Sequence, residues 1–413
     1  MDGNAQLYKD ILDIAMYAID RAKPDHAVKR ALERLRFDGD IYLVAVGKAA
    51  WQMADAAMKC VPKPICRGIV LTKYGHIRGE LPGVLCLEAG HPIPDRNSVE
   101  GTQKILQMTQ RLKATDTVLF LLSGGGSALF ESPLISLDAL KEITERMLRA
   151  GMDIGQINTI RKHLSAVKGG RFAQWCLPAK VETIILSDVL GDEVDMIASG
   201  PTVADPSTCA QAMELAKKFG LLISPEVTVC LEAETPKQIT NGHCSIIGSV
   251  RQLCSAAMER AGALGYETVF LTDDLSCEAS RAGREIGNRL KRHAADGRKI
   301  AYIAGGETVV HVKGKGLGGR NQELALAAAI ELAGVRNTSL LSIGSDGTDG
   351  PTDAAGGYVT GNTCTALKKQ GLSAEAFLAD NDAYHALEAV GGLIKTGPTG
   401  TNVNDLVIGL ISV

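Results

Sequence analysis

The sequence predicts an α/β protein of two domains, residues 1–235 and 236–413, each built on an open, mostly parallel sheet. Three observations predict it. Short continuous apolar runs, Ile41–Val46 and 117–122, read as strands covered on both faces. Such runs alternate with helical periodicity in both halves, the pattern of βα units. The composition, with 45 glycines and only 4% aromatic residues, suits many tight strand-to-helix turns.

Taken in order, amphipathic periodicity predicts helices over 5–22 and 25–35, then the strand 41–46 running through Gly47-Lys48 into a helix. Strands follow at 68–72 and 84–88, then the loop Ala89–Ser98 and a helix over 98–113. The strand 117–122 runs directly into Ser123-Gly124-Gly125-Gly126-Ser127. Helices are predicted at 137–149 and 157–167, and a strand at 181–186 opens the long loop that begins Ser187-Asp188. Loops of that length in compact domains are usually functional or disordered, and its apolar content argues against disorder. Beyond Pro236, strands at 243–247, 268–272 and 300–304 alternate with helices at 250–264 and 277–295. Residues 309–312 are expected to pair antiparallel with the strand before them. A helix over 321–332, a strand at 339–343, and strands near 393–395 and 406–411 close the chain.

A length of 413 residues, 45% hydrophobic content and a net charge of −3 describe a chain that buries full cores and carries no nucleic-acid footprint. No apolar run reaches the roughly 18 residues a membrane helix needs. The acidic, amphipathic start reads as a helix and not as a signal peptide. Ten cysteines without a C-x-x-C pair read as reduced thiols of a cytoplasmic protein, without a zinc site.

In open α/β sheets ligands gather at the carboxyl ends of strands, and every unusual motif here falls there. The Ser123–Ser127 loop is either a tight turn or an anion cradle, since consecutive glycines let backbone N–H groups converge. No G-x-x-x-x-G-K-[ST] loop occurs. Lys48, at a strand end beside a helix start, opposes the local dipole, which an anion would relieve. The runs Arg161-Lys162-His163 and Lys168–Arg171 read as a solvated basic face. Gly314-Lys315-Gly316-Leu317-Gly318-Gly319 spells a dinucleotide fingerprint. The expected antiparallel strand before it and the flanking Lys313, Lys315 and Arg320 suit a triphosphate at least as well. Asp188, Asp192, Asp195, Asp346, Asp349 and Asp353 stand in loops after strands; carboxylates beside phosphate are the usual Mg²⁺ setting, turn chemistry explains each one alone equally well, and two such loops in one chain shift the balance toward function. His91 either touches substrate or caps backbone.

Ten motifs in order carry a resemblance: VAVGKAAW from Val44, KYGH from Lys73, EAGHPIPD from Glu88, LLSGGGSALF from Leu121, INTIRKHLSAVKGGR from Ile157, LSDVLGD from Leu186, ASGPT from Ala198, GGETVVHVKGKGLGGRNQELAL from Gly305, SDGTDGPTDAAGG from Ser345 and GPTGTNVNDL from Gly397. Together they resemble the class II glycerate kinases, whose C-terminal part is the MOFRL domain. The resemblance implies a Rossmann-like N-terminal domain, a mixed-sheet MOFRL-type C-terminal domain and an active site in the cleft between them. It implies ATP-dependent phosphorylation of D-glycerate, usually at the 2-hydroxyl, with Mg²⁺, and it makes Lys48 a substrate-binding residue.

On that footing Lys48, Arg320, Asp188 and Asp346 are the expected catalytic residues. Lys48 with Ser123, Gly124, Gly125, Gly126 and Ser127 would bind glycerate. Lys313, Lys315, Gly316, Gly318, Gly319 and Asn321 would bind the nucleotide, and Asp188, Asp346 and Asp349 the metal. Neither nucleic acid nor membrane is an expected partner, and a homodimer is compatible with the reading. The rivals are a nicotinamide-dependent hydroxypyruvate reductase and a non-catalytic sugar-acid sensor.

Overall fold

The structure, a computed structural model, describes residues 3–187 and 193–413. The chain opens with α1 (Gly3–Arg21), α2 (Pro24–Leu32), β1 (Ile41–Val46), α3 (Ala50–Cys60), β2 (Ile65–Lys73), β3 (Val84–Ala89), α4 (Arg96–Met108) and β4 (Thr117–Ser123). It continues through α5 (Gly126–Leu129), α6 (Leu137–Arg149), α7 (Ile154–His163), α8 (Arg171–Trp175), β5 (Lys180–Leu186), α9 (Cys209–Lys218), α10 (Pro225–Glu232) and β6 (Gly242–Gly248). Then come α11 (Val250–Ala263), β7 (Glu267–Leu275), α12 (Ala279–His293), β8 (Ile300–Gly306), α13 (Arg320–Glu331), β9 (Thr338–Gly344) and β10 (Gly356–Thr360). The chain ends with α14 (Thr363–Lys369), α15 (Ala374–Ala379), α16 (Ala383–Ala389), β11 (Leu393–Ile394) and β12 (Asp405–Ile411).

The chain divides into two compact units, Pro24–Ile247, and Met1–Lys23 together with Gly248–Val413. This shifts the expected boundary at 235/236 for a physical reason. β6, expected to open the second domain, is the sixth strand of the first sheet. The first helix also changes sides: α1 packs on α11, β9 and β12, and Arg260 reaches Asp13 at 2.7 Å while Tyr266 donates to Asp10 at 2.7 Å.

In the unit Pro24–Ile247 the strand order is β3-β2-β1-β4-β5-β6, with β1–β2, β1–β4, β2–β3 and β4–β5 all parallel. β4 is buried at every residue, as a strand covered on both faces must be. Its Phe120 packs against Phe130 and Phe172 with ring centroids 5.6 and 5.2 Å away. Each such fully buried ring contributes about 1.5–3 kcal/mol of transfer free energy. Helices α6, α7, α9 and α10 form a satellite core around Ile143, Ile160, Ala216 and Leu231. Side-chain caps start all four, Ser136 at α6, Asp153 at α7, Thr208 at α9 and Ser224 at α10.

The other unit holds the sheet β11-β10-β9-β12-β8-β7. It is mixed, as the resemblance implies, and four of its five pairs are antiparallel with only β7–β8 parallel, which is more antiparallel pairing than strand–helix alternation alone predicts. The cause is β12, which enters between β8 and β9 and runs against both. β10 and α14–α16 stand where the sequence predicts no element. The expected antiparallel strand over 309–312 is absent; Val309 makes one parallel bridge, to Glu278. Helices α12 and α13 lie close because Gly283 and Gly287 carry no side chain: a Cβ on Gly283 would come within 2.1 Å of the Leu324 carbonyl oxygen.

Candidate functional site

Two clusters collect the expected site residues, one in each unit. In Pro24–Ile247 the cluster forms where β1 and β4 end side by side. Gly47 turns the chain with φ +123°, and a Cβ there would lie 2.2 Å from Ser123 Oγ. The turns after the two strands are stitched together: Lys48 N–H donates to Gly124 O at 2.9 Å, and Ala49 N–H to Ser123 Oγ at 3.0 Å. Ser123 is therefore a buried pin for the loop more than a hand for a ligand. Gly125 is left-handed at φ +87° and abuts the His91 ring. Gly126 rests on Ala198, and Ser127 O accepts from Arg161 Nη2 at 3.2 Å.

The electrostatics of this cluster are one-sided. Among the described residues, neither the Lys48 nor the Lys73 ammonium has a hydrogen-bond or ion-pair partner. His91 stays neutral, because burial, and then the charges of Lys48, Lys73 and His76, push it down to about 4. The Lys48 carbonyl accepts from His76 Nδ1 at 2.9 Å. An unpaired ammonium beside a glycine turn is suited to a small anion.

Cations under the loop correct the solvated-face reading of 161–171. Lys162 and Lys168 are buried. Lys168 Nζ donates to Phe130 O at 2.7 Å and lies 3.2 Å from Glu131, and burial pulls it down to about 8 against that carboxylate. Lys162 pairs with Asp195 at 2.9 Å and Asp205 at 3.1 Å, so Asp195 is part of the scaffold. Ala198, Ser199 and Gly200 form a left-handed run at φ 51°, 60° and 61°, held by a Ser199–Asn158 hydrogen bond of 2.7 Å. Nothing in the residue types announced that strain. Asp188 and Asp192 lie outside the described residues.

In the second unit, antiparallel pairing brings the start of β12 to the same edge as the ends of β8 and β9: Asp405 stands opposite both Gly306 and Gly344. Arg320, first residue of α13, reaches Asp405 through two bonds, Nε–Oδ2 at 2.6 Å and Nη2–Oδ1 at 3.0 Å. Its Nη1 donates to Glu307 Oε1 at 2.6 Å. Nothing in the sequence marks Glu307 within its turn or Asp405 within its polar run as partners of Arg320; only the fold shows that they converge.

Asp349 is spoken for. Its carboxylate accepts from the N–H groups of Asn321 and Gln322, at 3.1 and 2.9 Å, and from both their side-chain amides, at 3.3 and 2.9 Å. Gly319 is bare to admit it, since a Cβ there would lie 2.3 Å from the Asp349 carboxyl carbon. A metal would have to displace four hydrogen bonds. Asn321 is likewise committed and buried, its carbonyl accepting from Ser342 Oγ at 2.6 Å. The helix pole that a dinucleotide pyrophosphate would use is thus already filled by a carboxylate.

The glycine-rich stretch also faces inward. The N–H groups of Lys313, Gly314, Lys315, Gly316 and Leu317 all donate to Asp380, Asn381 or Asp382. This clasp, and not an antiparallel strand, occupies the backbone N–H groups of 313–317 that a phosphate would otherwise meet. Gly318 packs on the backbone of Asn381 and Ala383. The side chains of Lys313 and Lys315 are exposed and, among the described residues, without hydrogen-bond or ion-pair partners. Asp346 is half-buried; Oδ1 accepts from Thr348 N–H at 2.9 Å and its carbonyl from Thr399 N–H at 3.2 Å. Asp353 sits in a surface network with Lys395 at 2.8 Å and Tyr384 at 2.9 Å. Among the described residues no group of three or more His, Cys, Asp or Glu side chains gathers to hold a metal.

Family models match both parts of the chain: a domain of unknown function, DUF4147, over residues 10–232, and the MOFRL family over 300–405. A D-glycerate 2-kinase of Thermotoga maritima is 49% identical over 411 residues, which cover 98% of each chain. The chain belongs to the glycerate kinase family. The crystal structure of a Thermotoga maritima glycerate kinase superposes with a TM-score of 0.96 at 49% identity, covering 98% of this chain and 100% of that one. A relative from Agrobacterium vitis, 37% identical over 97% of this chain and 93% of its own, carries a provisional hydroxypyruvate reductase name.

Proposed function

We propose that this protein is an ATP-dependent kinase that phosphorylates D-glycerate at the 2-hydroxyl, giving 2-phospho-D-glycerate and ADP. The observation that carries the reading is the unpaired Lys48 ammonium beside the Gly124–Gly126 turn, in a chain 49% identical to a D-glycerate 2-kinase over nearly its whole length. Lys48 binds the glycerate carboxylate there, where among the described residues no carboxylate pairs with it.

Phosphoryl transfer asks for positioning and charge neutralisation more than for covalent chemistry. The glycerate 2-hydroxyl oxygen forms a bond to the γ-phosphorus while the bond from that phosphorus to the β,γ-bridging oxygen breaks. Arg320, fixed from behind by Asp405, neutralises charge that grows on the transferring group. Exposed Lys313 and Lys315 attract the polyphosphate. The hydroxyl proton passes to a carboxylate, a task that falls first to Asp188 on the sequence reading, which leaves Asp346, whose Oδ2 has no hydrogen-bond partner among the described residues, for the metal. ATP arrives as its Mg²⁺ complex, and one carboxylate plus phosphate oxygens is an ordinary Mg²⁺ environment, which Asp346 fits and saturated Asp349 does not. Bound there, Mg²⁺ would neutralise phosphate charge.

The reductase reading needs a dinucleotide pole, and α13 offers Asp349 in its place. Among the described residues no helix is long and apolar enough to cross a membrane; ten unpaired cysteines fit a cytoplasmic setting. A coupled ADP-release assay with D-glycerate, ATP and Mg²⁺, with the phosphoglycerate isomer resolved, tests the proposal. NADH oxidation with hydroxypyruvate and no ADP release would overturn it.

A further inference from the structure

Arg320 holds two carboxylates of unlike standing. Asp405 is engaged by two bonds and its side chain is 6% exposed; Glu307 is engaged by one and is 47% exposed. Removing a partner from a buried pair strands a charge, whereas a solvated pair contributes little and exchanges readily. Glu307 stands at the end of β8, directly after Gly306, which lies at φ +153° against the Leu275 backbone. Its main chain is therefore fixed while its side chain reaches into solvent.

We infer that Glu307 is a displaceable carboxylate that occupies the solvent-facing donor of Arg320 until an oxyanion of the nucleotide replaces it, and that it thereby sets which anions the arginine accepts. The inference rests on the kinase reading above. Asp405 stays in place throughout and keeps the guanidinium aimed. Glu307 makes Arg320 a poor site for a small anion such as inorganic phosphate, which must evict a carboxylate already at 2.6 Å. A polyphosphate brings several charges to the same place and evicts it more easily, so the resident carboxylate discriminates in its favour.

The test is Glu307→Gln, which keeps the shape and removes the charge, with Glu307→Ala as a second variant. The inhibition constant of inorganic phosphate is expected to fall at least ten-fold and the KM for MgATP at least three-fold, with circular dichroism unaltered. Phosphate inhibition that is unchanged or weaker in both variants overturns the inference. So does an equal fall for phosphate and MgATP, which removes the discrimination. Arg320→Ala separates the two levels: if it keeps full kcat, the role given to Arg320 fails; if it loses kcat while Glu307→Gln leaves phosphate inhibition unmoved, only the displacement fails.

Discussion

Lys48 and Gly124 are joined by a backbone hydrogen bond of 2.9 Å that ties the end of one parallel strand to the glycine turn of the next. The bond leaves the Lys48 ammonium free while fixing where it starts. Lys48→Ala is expected to raise the KM for glycerate at least ten-fold with the fold intact, because the loop bond comes from the main chain. Lys48→Arg should recover only part of the loss, since a planar fork does not replace a compact ammonium. Steady-state kinetics beside circular dichroism check this; a wild-type KM in Lys48→Ala would remove the lysine from substrate binding.

Gly47 permits that geometry. Its φ of +123° is one that side chains rarely adopt, and a Cβ would strike Ser123. Gly47→Ala is expected to cost about 1–3 kcal/mol from strain and displaced packing. Thermal denaturation should show a lower midpoint, and glycerate KM should rise, as the Ser123 pin and the Lys48 bond move together. A midpoint and KM like those of the wild type would show that the turn is not held as tightly as its contacts suggest.

Asp349 gives a test that separates scaffold from metal site. Asp349→Ala removes four acceptor contacts at the first turn of α13 and leaves buried N–H groups unmatched. The expected loss is about 2–4 kcal/mol of stability. If the residue only caps α13, raising the Mg²⁺ concentration will not restore activity. Recovery of kcat at high Mg²⁺ would place it among the metal ligands after all.

The strands with uniform apolar runs were legible in the sequence. Ile41–Val46 and the strand that ends at Ser123 stand where periodicity put them, because burial on both faces leaves no room for polar residues. The second sheet was harder, since strand direction leaves no mark on composition; β12 between β8 and β9 is a fact of pairing. The same limit hid half of the second cluster. Arg320 stood out by its neighbours, but Glu307 and Asp405 are 98 residues apart by number (405 less 307) and meet it only through the sheet. Asp349 misled for a related reason. An aspartate in a Gly/Thr loop looks the same whether it awaits a metal or caps a helix that begins 29 residues earlier (349 less 320).

The pair Arg320–Asp405 predicts how the enzyme answers to acid. Burial pushes Asp405 from 3.8 up to about 6, against the pull of the Arg320 hydrogen bond and charge. Burial also opposes the Arg320 charge, but the bonds and charges of Asp405 and Glu307 outweigh it, so the guanidinium stays protonated. As pH falls through about 6, Asp405 becomes neutral and its grip loses a charge. The kcat is expected to fall with it along a one-proton limb. Stability runs the other way. The folded chain binds this proton more tightly than the unfolded chain does, so the contribution of this group is present below 3.8 and is lost as pH rises through about 6. An acid limb in kcat that precedes any loss of circular dichroism is therefore the signature. In Asp405→Asn the limb should vanish and kcat should lie at least ten-fold low at every pH, since Arg320 then rests on a neutral partner throughout. An acid limb that persists in that variant would assign the proton to another group.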